Sequence, residues 1–132
     1  MSRRWRGTGG NVSLFVVLLL PALMLAAGLV LDGGRQIQAR REAQGAAAAA
    51  ARAAVQLSPE EAFAGGLDAG LASARGQAEL GRLGTGGSVS VSGDAVTVRV
   101  STPVDYLIVP GGGRVNQSAT AAPLDGVTGA AP

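Results

Sequence analysis

The stretch VSLFVVLLLPALMLAAGLVL, residues 12–31, decides how the rest of the chain is read. It is twenty residues long, and no charge intervenes between Arg6 and Asp32. At a rise of about 1.5 Å per residue it makes a helix of about 30 Å, the thickness of the hydrocarbon core of a bilayer. A soluble helix this long and this apolar needs a large core around it. The other residues, rich in Ala, Gly and Ser, do not supply one. The run predicts a single membrane span. A rival reading is a cleaved secretory signal: Arg3, Arg4 and Arg6 form a basic leader, and Ala26 and Gly28 precede a candidate cut before Leu29. The apolar run continues through Leu29, Val30 and Leu31 without a polar segment to expose that bond, which favours the uncut span. A twin-arginine signal at Arg3 and Arg4 lacks the apolar residues that should follow.

Working outward, three Arg precede the span and three (Arg35, Arg40 and Arg41) follow it, so the count of positive charges ties. The α-amino group tips the expectation toward a cytoplasmic N-terminus and an extracytoplasmic C-terminal part. Trp5 suits the headgroup level. Pro21 introduces a kink or, with Ala26, Ala27 and Gly28, a packing notch for another helix. Beyond the span, Asp32 and Arg35 read as a polar stop with an i,i+3 pair. Residues 35–57 are dominated by helix formers, with unbroken alanine from Ala46 to Ala51. Gly45 and Ala49 mark a face on which a neighbour can approach closely; a solvated helix is the alternative.

Ser58, Pro59 and Glu61 spell a helix start: a capping serine, proline at the first helical position, and a glutamate that returns a bond to the cap. This role, rather than acid–base chemistry, accounts for the Glu60–Glu61 pair. The helix is expected to run to about Leu83, with Phe63, Leu67 and Leu71 as its apolar stripe and four glycines weakening it. After residues 84–87 the period changes to two. Residues 88–92 (SVSVS) and 95–100 (AVTVRV) form a hairpin around Gly93 and Asp94, pairing Ser92 with Ala95, Val91 with Val96 and Val89 with Val98. That register puts the valines on one face. Residues 106–109 (YLIV) extend the second strand or form another, and residues 114–121 return as a third. So small a domain, with Phe63 and Tyr106 as its only aromatics, is expected to need completion by a partner, a second copy or the membrane surface.

The expected fold class is α+β: one transmembrane helix continuing into an Ala-rich helix, then a small antiparallel sheet packed with a short helix. The expected divisions are a cytoplasmic basic tail at 1–11, the span at 12–31, an Ala-rich juxtamembrane helix at 32–57, an extracytoplasmic α+β domain at 58–121 and a disordered tail at 122–132.

Composition excludes much chemistry. Among 132 residues, Ala (25) and Gly (21) exceed a third, and Cys, His and Lys are absent. Thiol nucleophiles, imidazole bases and the usual zinc ligands are therefore missing. The serines lack a His or Lys base. The aspartates are dispersed without calcium-loop spacing. The Gly-rich stretches at 7–10 and 84–87 lack the following Lys-Ser/Thr of a phosphate loop. With 11 basic and 9 acidic residues, the net charge of +2 builds no phosphate-tracking face. No enzyme activity, cofactor, metal, nucleic acid or small-molecule substrate is expected. The partners expected are the membrane and other proteins of an assembly, or a second copy.

In order, the chain carries an Arg/Gly leader, Gly10-Asn11-Val12-Ser13-Leu14-Phe15, Leu20-Pro21 and Leu31-Asp32-Gly33-Gly34-Arg35. An Arg/Gln-rich helix and the alanines at 46–54 follow. Over residues 6–55 this resembles the N-terminal anchor of TadE/TadG-like proteins of the tight-adherence (Flp-type) pilus machinery, in a short actinobacterial form. Val96 to Pro103 and Ser118 to Ala121 resemble the same family more loosely. The resemblance implies a single-pass, non-catalytic accessory of pilus assembly or of a related secretion apparatus, with Pro21, Asp32 and Arg35 matching the pattern that bears on assembly. Processed members carry Glu at the fifth position after a Gly cut. A cut after Gly10 puts Phe15 there, which favours the uncut, TadG-like role. The alternatives are a secreted or surface binding module released by signal cleavage, and a small regulatory membrane protein.

Overall fold

The computed structural model describes residues 9–124. The basic leader, Trp5 and most of the tail expected to be disordered lie outside the described residues. The elements run α1 (Gly9–Ala54), α2 (Pro59–Ala64), α3 (Ala69–Arg82), β1 (Gly87–Ser92), β2 (Ala95–Asp105) and β3 (Gly112–Ala121). This is the α+β architecture expected: one long apolar helix, short helices and a three-stranded antiparallel sheet in the order β1-β2-β3.

α1 is continuous for 46 residues, about 69 Å at the helical rise, and passes through Pro21, Asp32, Gly33 and Gly34 without a break. Its two halves differ. From Val12 to Leu31 the large side chains stand exposed. From Ala39 onward, Ala43, Ala46, Ala47, Ala50, Ala51 and Ala54 are buried, at spacings of three and four residues that define one face. This face lies against Val96, Val98 and Val100 of β2 and against Ala72 and Leu80 of α3. The expected close-approach face at Gly45 and Ala49 is not the packed one, because a Cβ on Gly45 would meet nothing within 4 Å. Nor is the alanine helix solvated. Alanine is the side chain that lets a helix axis come down onto a valine surface, and the valine face of the sheet is thereby covered from within the chain.

The hairpin register agrees with the alternation: Val89 pairs with Val98, Val91 with Val96 and Ser92 with Ala95. The valine face turns to α1 and α3, while Ser90, Thr97 and Thr120 line the other side. β2 continues through Pro103 to Asp105 beside β3. β1 ends opposite Val100, so Pro103 has no neighbour on that side to miss its N–H. Residues 106–109 are neither an extension of β2 nor a strand. They form the β2–β3 connection and dock on α1.

The single helix expected from Ser58 to Leu83 is two helices. α2 stops after six residues at Gly65, which takes φ +82 and bonds back to the Glu61 carbonyl. Asp68 then caps α3 by accepting from the Leu71 N–H at 2.8 Å. The stripe at Phe63, Leu67 and Leu71 does not survive this break: Phe63 is 93% exposed and Leu71 is exposed as well, and of the three only Leu67 packs against the core. α3 instead buries Ala72, Gly76 and Leu80. Gly76, which sequence propensity marks as a weakness, sits where a Cβ would come within 3.0 Å of Val89. Its absent side chain lets α3 reach β1.

Candidate functional site at the end of the apolar segment

The three residues singled out by the family resemblance, Pro21, Asp32 and Arg35, lie on one helix. Successive steps of seven, four and three residues bring Pro21, Gly28, Asp32 and Arg35 within about 60° of one another around α1. The structure does not bring Pro21 to the others, since it stands exposed about three turns below Asp32. Asp32 and Arg35 adjoin a segment far away in sequence, the β2–β3 connection.

Asp32 is 3% exposed. Its carboxylate accepts three consecutive backbone N–H groups, from Leu107 at 2.7 Å, Ile108 at 2.9 Å and Val109 at 3.3 Å. The next residue, Pro110, has no N–H to satisfy. Donation from Leu107 and Ile108 holds the Asp32 carboxyl below the usual carboxylate range. Burial opposes this in part, while the Val109 N–H and the nearby Arg35 charge add to it. Among the described residues, Asp32 and Arg35 form no ion pair, so the expected i,i+3 pair is corrected. The carboxylate turns to a loop of donors that water would otherwise serve, and the Arg35 guanidinium leans to the Asp105 carbonyl at 3.5 Å.

One turn below Asp32, a Cβ on Gly28 would overlap the Ile108 side chain. The small-residue notch expected to receive another helix is thus filled at Gly28 by Ile108 of the same chain. Leu107, Ile108 and Val109 nevertheless remain 60%, 42% and 45% exposed. On the other side, Tyr106 packs with Ala39, Val104 and Val115 in a small second cluster. The role of residues 107–109 escaped the sequence reading. Their signal was an apolar triplet before Pro-Gly, where strand alternation had already broken off.

A second polar centre closes the far end of α1. Glu61 completes the capping box with Ser58, accepting the Ser58 N–H at 2.8 Å, and also accepts the Asp68 N–H at 3.0 Å. Arg75 donates to both Glu61 carboxylate oxygens at 2.7 and 3.0 Å. The same guanidinium reaches the Ala54 carbonyl at 3.1 Å, one of the acceptors that the end of a helix leaves unpaired. The capping expected of Glu61 is present, and Arg75 adds a clamp that joins α1, α2 and α3. Glu60 is exposed and takes no part.

Arg75, and then the bond from Ser58, push the Glu61 carboxyl well below its ordinary value of 4.5. Such a group contributes stability that is fully present above its unfolded-state pKa and is lost as pH falls below it. The thermal midpoint of the full chain in detergent is therefore expected to drop by several degrees between about pH 6 and about pH 3. Glu61→Gln should flatten this dependence without abolishing it, because Asp32 and Glu79 are also lowered. An unchanged pH profile in that variant, followed by circular dichroism, would show that the clamp does not carry it.

Among the described residues no group of three His, Cys, Asp or Glu side chains could hold a metal ion. A groove of about 630 Å³ crosses the polar side of the sheet between Ser88, Arg99, Arg114 and Ser118. Gly86, Gly87 and Val100 line it together with Arg, Ser, Asn and Gln side chains, and both arginines are exposed.

Comparison with known proteins bears on α1. A family model described as putative Flp pilus-assembly, TadE/G-like, matches residues 10–57. The matched segment is α1 almost end to end with the turn after it, and it contains Pro21, Gly28, Asp32 and Arg35. The strands lie outside the match. No curated protein and no solved structure matches the chain.

Proposed function

With residues 10–57 matching a TadE/G-like Flp pilus-assembly family, we propose that this protein is a membrane-anchored, non-catalytic accessory of a tight-adherence pilus or a related secretion assembly. The observation that carries the reading is the division of α1. The most apolar window of this helix is 6% buried, with a mean hydropathy of 2.8. The core helix of a soluble protein would bury such a window. Here the buried part of α1 is the alanine-rich half, and the apolar half projects from the folded domain.

In this reading residues 12–31 span the bilayer with the N-terminus in the cytoplasm. Residues 32–121 lie beyond the span on its extracytoplasmic side, carried on the same continuous helix. Pro21 serves assembly as an exposed notch on the span, and Asp32 and Arg35 serve it by fixing the domain at the point of exit. Uncut anchoring is supported by the seat of Ile108 on Gly28, since a cut before Leu29 would remove half of that contact.

The test is intact mass and N-terminal sequence of the native protein, taken separately from membranes and medium, with identification of co-purifying proteins from gently solubilised membranes. The expected result is a membrane-bound chain starting at Met1 or Ser2 that brings down pilus or secretion-apparatus proteins. A soluble chain starting near Leu29 would overturn the anchor. A membrane-bound chain starting at Asn11 would make it a processed pseudopilin instead.

A further inference from the structure

The helix that leaves the apolar segment does not leave alone. Ile108 rests on Gly28, which lies three residues inside the apolar run ending at Leu31, about 4.5 Å along the helix axis. Leu107 and Val109 flank it, and all three side chains are exposed to a large degree. We propose that the loop tip Leu107–Val109 is a second membrane contact, inserted at the boundary between headgroups and acyl chains on the side where α1 exits the bilayer. This rests on the reading of residues 12–31 as a membrane span.

Three features on the loop fit that medium. The first is continuity: Ile108 lies on Gly28, inside the apolar run whose large side chains are exposed, so the triplet sits at the level of that apolar surface. The second is the state of the backbone. Irregular backbone is disfavoured in lipid because its N–H and C=O groups have no partner there, which keeps such a loop at the headgroup boundary, where water reaches the carbonyls. In Leu107, Ile108 and Val109 every N–H already donates to Asp32, and Pro110 has none. The same three bonds hold the Asp32 charge, so a carboxylate can stand at the edge of an apolar layer.

The third feature is size. Three side chains offer far less than the ~800 Å² that each partner contributes to a stable protein–protein interface. As an extension of a lipid-facing helix, however, the triplet adds to apolar area that is already in the bilayer. Arg35, exposed one turn beyond Asp32, has its charge at the height of the headgroups, where a long cationic side chain is accommodated. The consequence is orientational. A single helix leaves a domain free to swing and rotate about the membrane normal; a second contact 75 residues away in sequence fixes which face of the sheet looks along the membrane.

The chain has no cysteine, so depth can be read one position at a time. Leu107→Cys, Val109→Cys, Val17→Cys and Asp94→Cys are prepared separately in the full-length protein. Each is labelled with an environment-sensitive fluorophore and reconstituted into phosphatidylcholine–phosphatidylglycerol vesicles. Lipids carrying a spin-label quencher near the head or near the end of the acyl chain are then compared, and aqueous iodide is added in parallel. The expected result is loss of fluorescence at positions 107 and 109 to the shallow quencher, at 17 to the deep one, and at 94 to iodide alone.

If 107 and 109 behave like 94 while 17 is quenched by lipid, the loop proposal is overturned and the anchor stands. If 17 is untouched by lipid quenchers, the spanning reading fails and the loop proposal fails with it. Positions 107 and 109 shielded from both lipid and iodide would mean a protein surface covers them, and would overturn the lipid assignment. Using two loop positions guards against one label displacing the loop.

Discussion

Ala50→Leu is expected to destabilise the folded domain by about 3 kcal/mol, the upper part of the range for overpacking a core. Ala50 is completely buried on the face of α1 that meets Val96, Val98 and Val100. Three extra carbon atoms have no void to enter, so the helix must lift from the sheet or a valine must leave its rotamer. A core this small supplies only about 3–5 kcal/mol in total, so the variant should sit near its unfolding midpoint at ordinary temperature. The measurement is urea unfolding of the full chain in detergent, followed by amide exchange across Val96 to Val100.

The comparison that makes this result specific is Gly45→Ala on the opposite side of the same helix. A Cβ there meets nothing within 4 Å, so the change should stabilise by up to ~1 kcal/mol through helix propensity alone. If both substitutions were equally harmless, the alanine face would not be the core.

Asp32→Asn is the second large effect. It keeps the size of the side chain but removes the charge and exchanges one acceptor oxygen for a donor. That donor faces N–H groups at 2.7 to 3.3 Å. Leu107 donates to one carboxylate oxygen and Ile108 and Val109 to the other, so one or two of the three amides meet a donor according to which way the Asn amide turns, and the bonds that remain lose their charge assistance. Amide exchange at Leu107, Ile108 and Val109 is expected to accelerate by about 100-fold, with little change at Val98 or Leu80. Acid should act in the same direction. The folded carboxyl of Asp32 is held below the usual range, so the loop's protection is present above that range and is lost as pH falls below it. Exchange at Asp32→Asn indistinguishable from the parent chain would mean that Ile108 on Gly28 alone holds the loop. The change should leave the Glu61–Arg75 clamp intact, because that centre closes the other end of the domain.

These two effects also mark where local reading of the chain succeeds. The apolar run, the capping box at Ser58 and Glu61 and the valine register of the hairpin all depend on patterns within about twenty consecutive residues or fewer. Helix and strand periods make such patterns visible without any knowledge of the fold. The stripe at Phe63, Leu67 and Leu71 failed for a physical reason: its period assumed a helix that Gly65 ends, and a periodic pattern has meaning only inside one unbroken element. The alanine helix was visible as a helix, but what covers it was not. Alanine reads as neutral until a surface comes close enough to need it.

Tertiary structure decided the rest. The carboxylate of Asp32 meets amides 75 to 77 residues further on, and Arg75 reaches back 21 residues to the last turn of α1. Neither distance follows from a local period, because it depends on how the sheet lies along the helix. By itself the sequence determined a long apolar helix, an alanine helix after it, a valine hairpin and the absence of Cys, His and Lys, since each can be read along the chain without the fold. Only the packed structure decided that the alanines are the core, that α3 needs Gly76, and that the β2–β3 loop is tied to the end of the apolar segment. Each of these is a contact between distant segments, and burial and geometry select such contacts only when the whole chain has closed.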